Sequence, residues 1–157
     1  MRIRRLIFLL AVPLALAACE SSTDPEPAPS EVEGGWLRVN EQPATANVIE
    51  HLGFGAGGRY ARDVMIFRDL AGGTLVSSLR QEGTYRLTGE RLELRITRET
   101  DWDAERGGPP VVTERPETWA DAGTLRIEGV YMHRTYITYP ADAPVETTAR
   151  YHKVLPD

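Results

Sequence analysis

The chain has 157 residues, 18 Lys plus Arg against 23 Asp plus Glu, a formal charge of −5 and a single cysteine. That length suits one domain with appendages, and one thiol excludes an internal disulfide. A net acidic chain without a basic cluster is a poor partner for nucleic acid.

The first residues read as a leader. Met1-Arg2-Ile3-Arg4-Arg5 is basic, and the 13 residues from Leu6 to Ala18 are apolar. As a helix they rise only about 20 Å, short of a hydrocarbon core of about 30 Å. Residues 1–18 therefore fit a secretory signal peptide better than a transmembrane anchor. Leu16-Ala17-Ala18-Cys19 resembles the bacterial lipobox at all four positions. The resemblance implies cleavage before Cys19, diacylglycerol on its thiol and a further acyl chain such as palmitate on the new α-amine. Several acyl chains at one point anchor durably, where one chain holds only marginally. The next residue is Glu20, whereas the inner-membrane retention signal of enterobacterial lipoproteins is Asp. The resemblance thus implies the outer membrane, on its periplasmic face or at the cell surface. Removing residues 1–18 takes three arginines and no acids, leaving 15 basic residues against 23 acidic ones and a charge of −8. Charge would not draw such a chain to anionic lipid, so the acyl chains on Cys19 must supply the membrane contact.

Residues 19–34 are acidic, Pro-rich and nearly devoid of apolar side chains. Such a segment cannot bury enough surface to order itself, and its prolines make a semi-extended tether. The folded domain is expected over 35–157. Trp36 to Asn40 and Asn47 to Phe54 read as the first strands, the four residues after Phe54 as a turn, and Arg59 to Arg68 as the third strand. Ala71-Gly72-Gly73 is another turn. Thr74 to Leu87 is a long strand, bent at Gly83, because an interior glycine often marks a bulge or barrel corner. Tyr85 and Leu87, then Leu92, Leu94 and Ile96, alternate with polar neighbours at the period of half-buried strands. Thr88-Gly89-Glu90 between them fits a tight hairpin turn.

Residues 99–122 break this rhythm and carry Trp102 and Trp119. They read as a long loop with a short helix near 116–122. It is either an irregular crossover whose tryptophans plug a barrel end, or a binding loop or lid. Alternation resumes from Thr124 to Glu128, and Val130 to Tyr139 is rich in β-branched and aromatic residues. Residues 140–144 form a turn, and Glu146 to Val154 closes the chain with Tyr151 as its core contact. The pattern is all-β: a meander of about eight antiparallel strands closing into a barrel or sandwich, enough to hold side chains or one small ligand.

Chemical motifs are few. Gly53-Phe54-Gly55-Ala56-Gly57-Gly58 matches G-x-G-x-x-G in letters, but strand-like residues follow where a dinucleotide site needs a helix. His51, His133 and His152 lack metal-ligand spacing, and only His133 and His152 are placed to meet across neighbouring strands. The acids Asp101, Asp103, Glu105, Glu114, Glu117 and Asp121 match no calcium loop and read as solvated. Ser77-Ser78 lacks the setting that exposes a nucleophile. No cofactor, no metal and no enzymatic activity are expected. Tyrosines on the strands should be mostly core, with one or two able to hold a ligand by ring and hydroxyl together.

The order of features resembles the small bacterial lipocalin-like lipoproteins. The lipobox and tether precede Gly35-Trp36, a Phe54-turn-Gly58-Arg59-Tyr60 step, Gly83-Thr84-Tyr85 before a hairpin, and Tyr151-His152-Lys153 at the end. The resemblance covers residues 35–154 and its motifs are mostly structural. It implies an up-and-down β-barrel with an apolar pocket and brings no catalytic residues. The expectation is a lipid-anchored envelope module, not an enzyme, that binds a small apolar or amphipathic molecule. Tyr85, Trp102, Trp119 and Tyr131 are the candidate ligand contacts. The alternative is a solid barrel that docks on an envelope protein.

Overall fold

The computed structural model describes residues 31–42, 46–68, 73–116, 118–139 and 143–154. The leader, Cys19, most of the tether and the turns expected at 71–72 and 140–142 lie outside these residues. Nine strands are described: β1 Gly34–Gln42, β2 Ala46–Gly55, β3 Arg59–Phe67, β4 Leu75–Thr88, β5 Arg91–Asp103, β6 Val111–Glu114, β7 Ala120–Glu128, β8 Tyr131–Thr138 and β9 Val145–Val154. All pairings are antiparallel. Neighbours run β4-β3-β2-β1-β9-β8-β7-β5, and β5 returns to β4, so eight strands close an up-and-down barrel. Closure removes most of the free edge from those strands. β6 is the extra strand, attached to β5 alone.

Glycines stand where the wall turns or bends. Gly89 takes φ 60° in the β4–β5 turn, a left-handed conformation that costs glycine little. At Gly83 the register slips, because Glu82 faces Arg98 while Gly83 faces Ile96. A Cβ built at Gly83 would run into the Arg95 carbonyl oxygen. The bend expected there is therefore a bulge in β5 that only a bare backbone can approach. The G-x-G-x-x-G letters span the end of β2, a 3-10 turn at Ala56–Gly58 and the edge of β3. They form a hairpin connection with no long helix behind it.

One end of the barrel is solid. Trp36, Leu52, Phe54, Leu92, Met132 and Tyr151 are each no more than 2% exposed, with Leu87, Leu125 and Ile127 packed beside them. Burying one such side chain is worth about 1.5–3 kcal/mol. Phe54 meets Tyr85 edge-on at 5.0 Å and Tyr60 at 5.5 Å. Val32, expected in the tether, is 1% exposed and accepts the indole N–H of Trp36 at 2.8 Å. Lys153 donates to the Glu31 carbonyl at 3.2 Å. The last residues before β1 thus fold across the floor.

The stretch 99–122 differs most from expectation. Thr100 to Asp103 continue β5 rather than starting a loop, and Ala120 to Ala122 begin β7, so the described residues of 116–122 form no helix. β6 pairs with the far half of β5 and β7 with its near half. β6 and β7 therefore act as one interrupted partner of β5 in a long hairpin arm. Asp103 turns its tip, its carboxylate accepting the backbone N–H of Glu105 at 2.7 Å and of Arg106 at 3.1 Å.

Candidate functional site

Register fixes which side chains enter the barrel. The rows that carry the buried residues also carry Arg38 on β1, Glu50 on β2, Tyr60 and Arg62 on β3, Gln81 on β4, Arg134 and Tyr136 on β8 and Tyr151 on β9. They form a polar layer above the solid floor.

Glu50 is its centre, 5% exposed. It accepts from Arg62 Nε at 2.6 Å and from the Tyr151 hydroxyl at 2.9 Å, with Arg38 at 3.7 Å. Burial works against the Arg62 charge, but the Glu50 carboxylate outweighs it and raises the Arg62 pKa. Arg62 also reaches Gln81 at 3.3 Å, and Gln81 donates to Glu99 at 3.0 Å. Glu99, on the same inward row as Gln81, pairs with Arg115 at 2.5 Å. The Gln81 and Arg115 hydrogen bonds hold the Glu99 pKa below the usual carboxylate value. Among the described residues, Glu99 is matched by Arg115, which leaves three guanidiniums (Arg38, Arg62 and Arg134) around the carboxylate of Glu50.

Arg134 and Tyr60 stand apart from that pairing. Arg134 is 9% exposed; its Nε donates to the Ala122 carbonyl at 3.4 Å, and its guanidinium carbon lies 4.8 Å from the Tyr136 ring centre. Among the described residues no carboxylate lies within ion-pair distance of it. Tyr60 is 3% exposed, and its hydroxyl has no hydrogen-bond partner among the described residues. Burial raises the Tyr60 pKa, so the hydroxyl stays protonated, and Arg134 and Arg62 act against the shift from nearby. Buried charges are nearly always paired, so Arg134, which meets no carboxylate among the described residues, is a candidate binding element.

The wall is open next to Arg134. β7 and β8 pair only from Thr124 opposite Thr135 to Glu128 opposite Tyr131. Beyond that, Ala120 and Asp121 pair with Leu94 and Glu93 on β5, while Tyr136 and Thr138 pair with Thr147 and Val145 on β9. Gly123, at φ 92°, sits where the strands part, and a Cβ there would strike the Thr135 carbonyl oxygen. A cleft of about 690 Å³ occupies the gap, lined by Ala122, Arg134, Tyr136, Ile137, Tyr139 and the rim acid Glu146 among others. A second cleft of about 460 Å³ reaches Arg134 from the β5 side, past Leu94, Ile96, Ala122 and the Glu99–Arg115 pair. The exposed Asp121, on both clefts, is paired with Arg91 at 3.2 Å.

The four residues expected to contact a ligand are not brought together. Tyr85 points inward but is packed on Phe54 in the core. Trp102 faces Ser78 on the outer side of the arm. Trp119 lies outside the barrel under the Arg86 guanidinium, 3.8 Å from its ring centre, so neither tryptophan plugs a barrel end. Tyr131 packs edge-on against His152 at 5.0 Å on the outer surface. His133 and His152 do sit on adjoining strands, but each is opposite another residue, Arg150 and Tyr131 respectively. Among the described residues no group of His, Cys, Asp and Glu is arranged to hold a metal ion. The residues that sequence reading passed over are Arg38, Glu50, Arg62 and Arg134. Their signal was present, since each occupies an apolar phase of its strand: Glu50 between Val48 and Leu52, and Arg134 between Met132 and Tyr136.

No family model matches the chain, and neither a curated protein nor a solved structure is similar to it.

Proposed function

We propose that this protein is a lipid-anchored envelope barrel that binds a small amphipathic molecule in its upper half. The observation that carries the reading is the β7–β8 cleft of about 690 Å³, which joins apolar lip residues to buried Arg134. Its size falls in the range of about 300–1,000 Å³ typical of small-molecule sites. The solid floor confines a ligand to the cleft and the polar layer. The lipobox supports attachment at Cys19. β1 enters from the floor, with about a dozen residues between Cys19 and Val32, so an anchored barrel would hold its open rim away from the bilayer. At roughly 3.5 Å per residue, that tether reaches no more than about 40 Å.

Two measurements test the reading. Cells expressing the protein and fed labelled palmitate should yield a labelled product, and Cys19→Ala should abolish the label. The purified protein should enhance the emission of a fluorescent fatty-acid analogue and saturate at one site. Absence of any saturable binding contradicts the proposed ligand. A second reading, docking on an envelope protein, is favoured by β6. That strand is an edge with Val111 and Val112 at 47% and 48% exposed. It predicts recovery of an envelope partner by cross-linking that is lost on removing β6.

A further inference from the structure

Resting on the reading of the cleft as a ligand site, we propose that the ligand carries an oxyanion head, a carboxylate or a phosphate, which is received by Arg134 while its chain leaves across the β7–β8 lip.

Two features of the site agree on this class. Arg134 is a buried charge that faces the Ala122 carbonyl and the Tyr136 ring instead of a carboxylate. A buried cation without a counter-ion is costly, and an arriving anion relieves that cost. Guanidinium presents a planar set of donors that suits carboxylate and phosphate oxygens, and such charge-assisted bonds are the stronger kind. The excess of guanidiniums over Glu50 also repels a cationic head.

The lip accounts for the chain. Ile137 is 51% and Tyr139 70% exposed, and both line the cleft beside half-buried Tyr136 and Ala122. An acyl chain laid along this edge would cover apolar surface that the fold leaves in water. Asp121 and Glu146 also line the cleft, but both are exposed on its rim, and Asp121 is held by Arg91.

The test compares cis-parinaric acid with its methyl ester on the purified protein, by the rise in polyene emission. The acid is expected to bind about tenfold more tightly than the ester, as one good charge-assisted hydrogen bond allows. Arg134→Gln should remove that preference, and Arg134→Lys should keep part of it. Competition separates the two heads. Displacement by oleate but not by 1-oleoyl lysophosphatidate assigns a carboxylate, and the reverse assigns a phosphate. Equal binding of acid and ester overturns the oxyanion site while leaving an amphiphile site standing. Binding of neither probe overturns the amphiphile reading and this inference with it. The acid-to-ester ratio of the unaltered protein decides the question even if Arg134→Gln fails to fold.

Discussion

Glu50 accepts hydrogen bonds from Arg62 and Tyr151 inside the barrel and faces Arg38. Neutralising it leaves two guanidiniums without their counter-ion in a poorly solvated layer. Glu50→Gln should therefore destabilise the fold by about 3 kcal/mol, as breaking a buried ion pair does. Tyr151→Phe, which removes one hydrogen bond and keeps the ring, should cost about 1.5 kcal/mol. Urea unfolding checks both, and a Glu50→Gln protein as stable as the parent would show that the layer is solvated. Gly83→Ala tests the bulge. Its methyl group meets the Arg95 carbonyl, and the strain should cost about 3 kcal/mol. Gly83 and Gly89 were legible because a glycine interrupting an alternating strand has few other reasons to be there. The arginines were legible in principle as charges in apolar phase, but alternation alone does not say whether such a charge is paired, as Arg62 is, or left over, as Arg134 is.

The β5–β6 arm was the element hardest to read. After the bulge, the face of β5 that was buried at Leu92 and Leu94 passes to Glu99, Asp101 and Asp103, while Arg98, Thr100 and Trp102 take the other side. Neither face keeps a regular apolar alternation, because the arm has run past the core. A period of two in hydrophobicity then disappears although the backbone ladder continues, so the stretch looks like a loop. β6 covers only four residues, all exposed, and pairs on one edge alone. Its amides should exchange with deuterium at least about a hundredfold faster than those of β2 and β3, which have partners on both sides. Equal protection would mean that the arm is covered, by a second copy or by another part of the chain. The slit between β7 and β8 was hidden for a different reason. It depends on Gly123 letting two strands diverge, which is a fact of pairing and not of composition.

Taken whole, the molecule is a closed eight-stranded wall with an apolar floor, a charged middle and a lateral opening. Two of its interior tyrosines link stability to alkaline pH. Burial raises the pKa of Tyr60, and burial together with the Glu50 charge raises that of Tyr151. Both are then protonated in the fold at pH values where the unfolded chain ionises. Their contribution is complete below the ordinary tyrosine value of about 10 and is lost as pH rises above it. Unfolding free energy should thus fall from about pH 10 upward, by up to about 2.7 kcal/mol per pH unit for two groups, and Tyr60→Phe should reduce that slope. Stability unchanged to pH 11 would mean that the hydroxyls are solvated. The overall architecture was legible because a meander pairs each strand with its successor, so chain order gives spatial order. The position of the cleft was not, since Trp102 and Trp119, the conspicuous aromatics, lie on the outside.

The central claim, that an amphiphile enters between β7 and β8, is tested most directly by photo-cross-linking with a fatty acid that carries a diazirine in its chain, followed by peptide mapping. The account predicts label within residues 120–139, suppressed by excess oleate or 1-oleoyl lysophosphatidate. Label confined to the outer faces of β1 to β4, or none that a competitor suppresses, would contradict it.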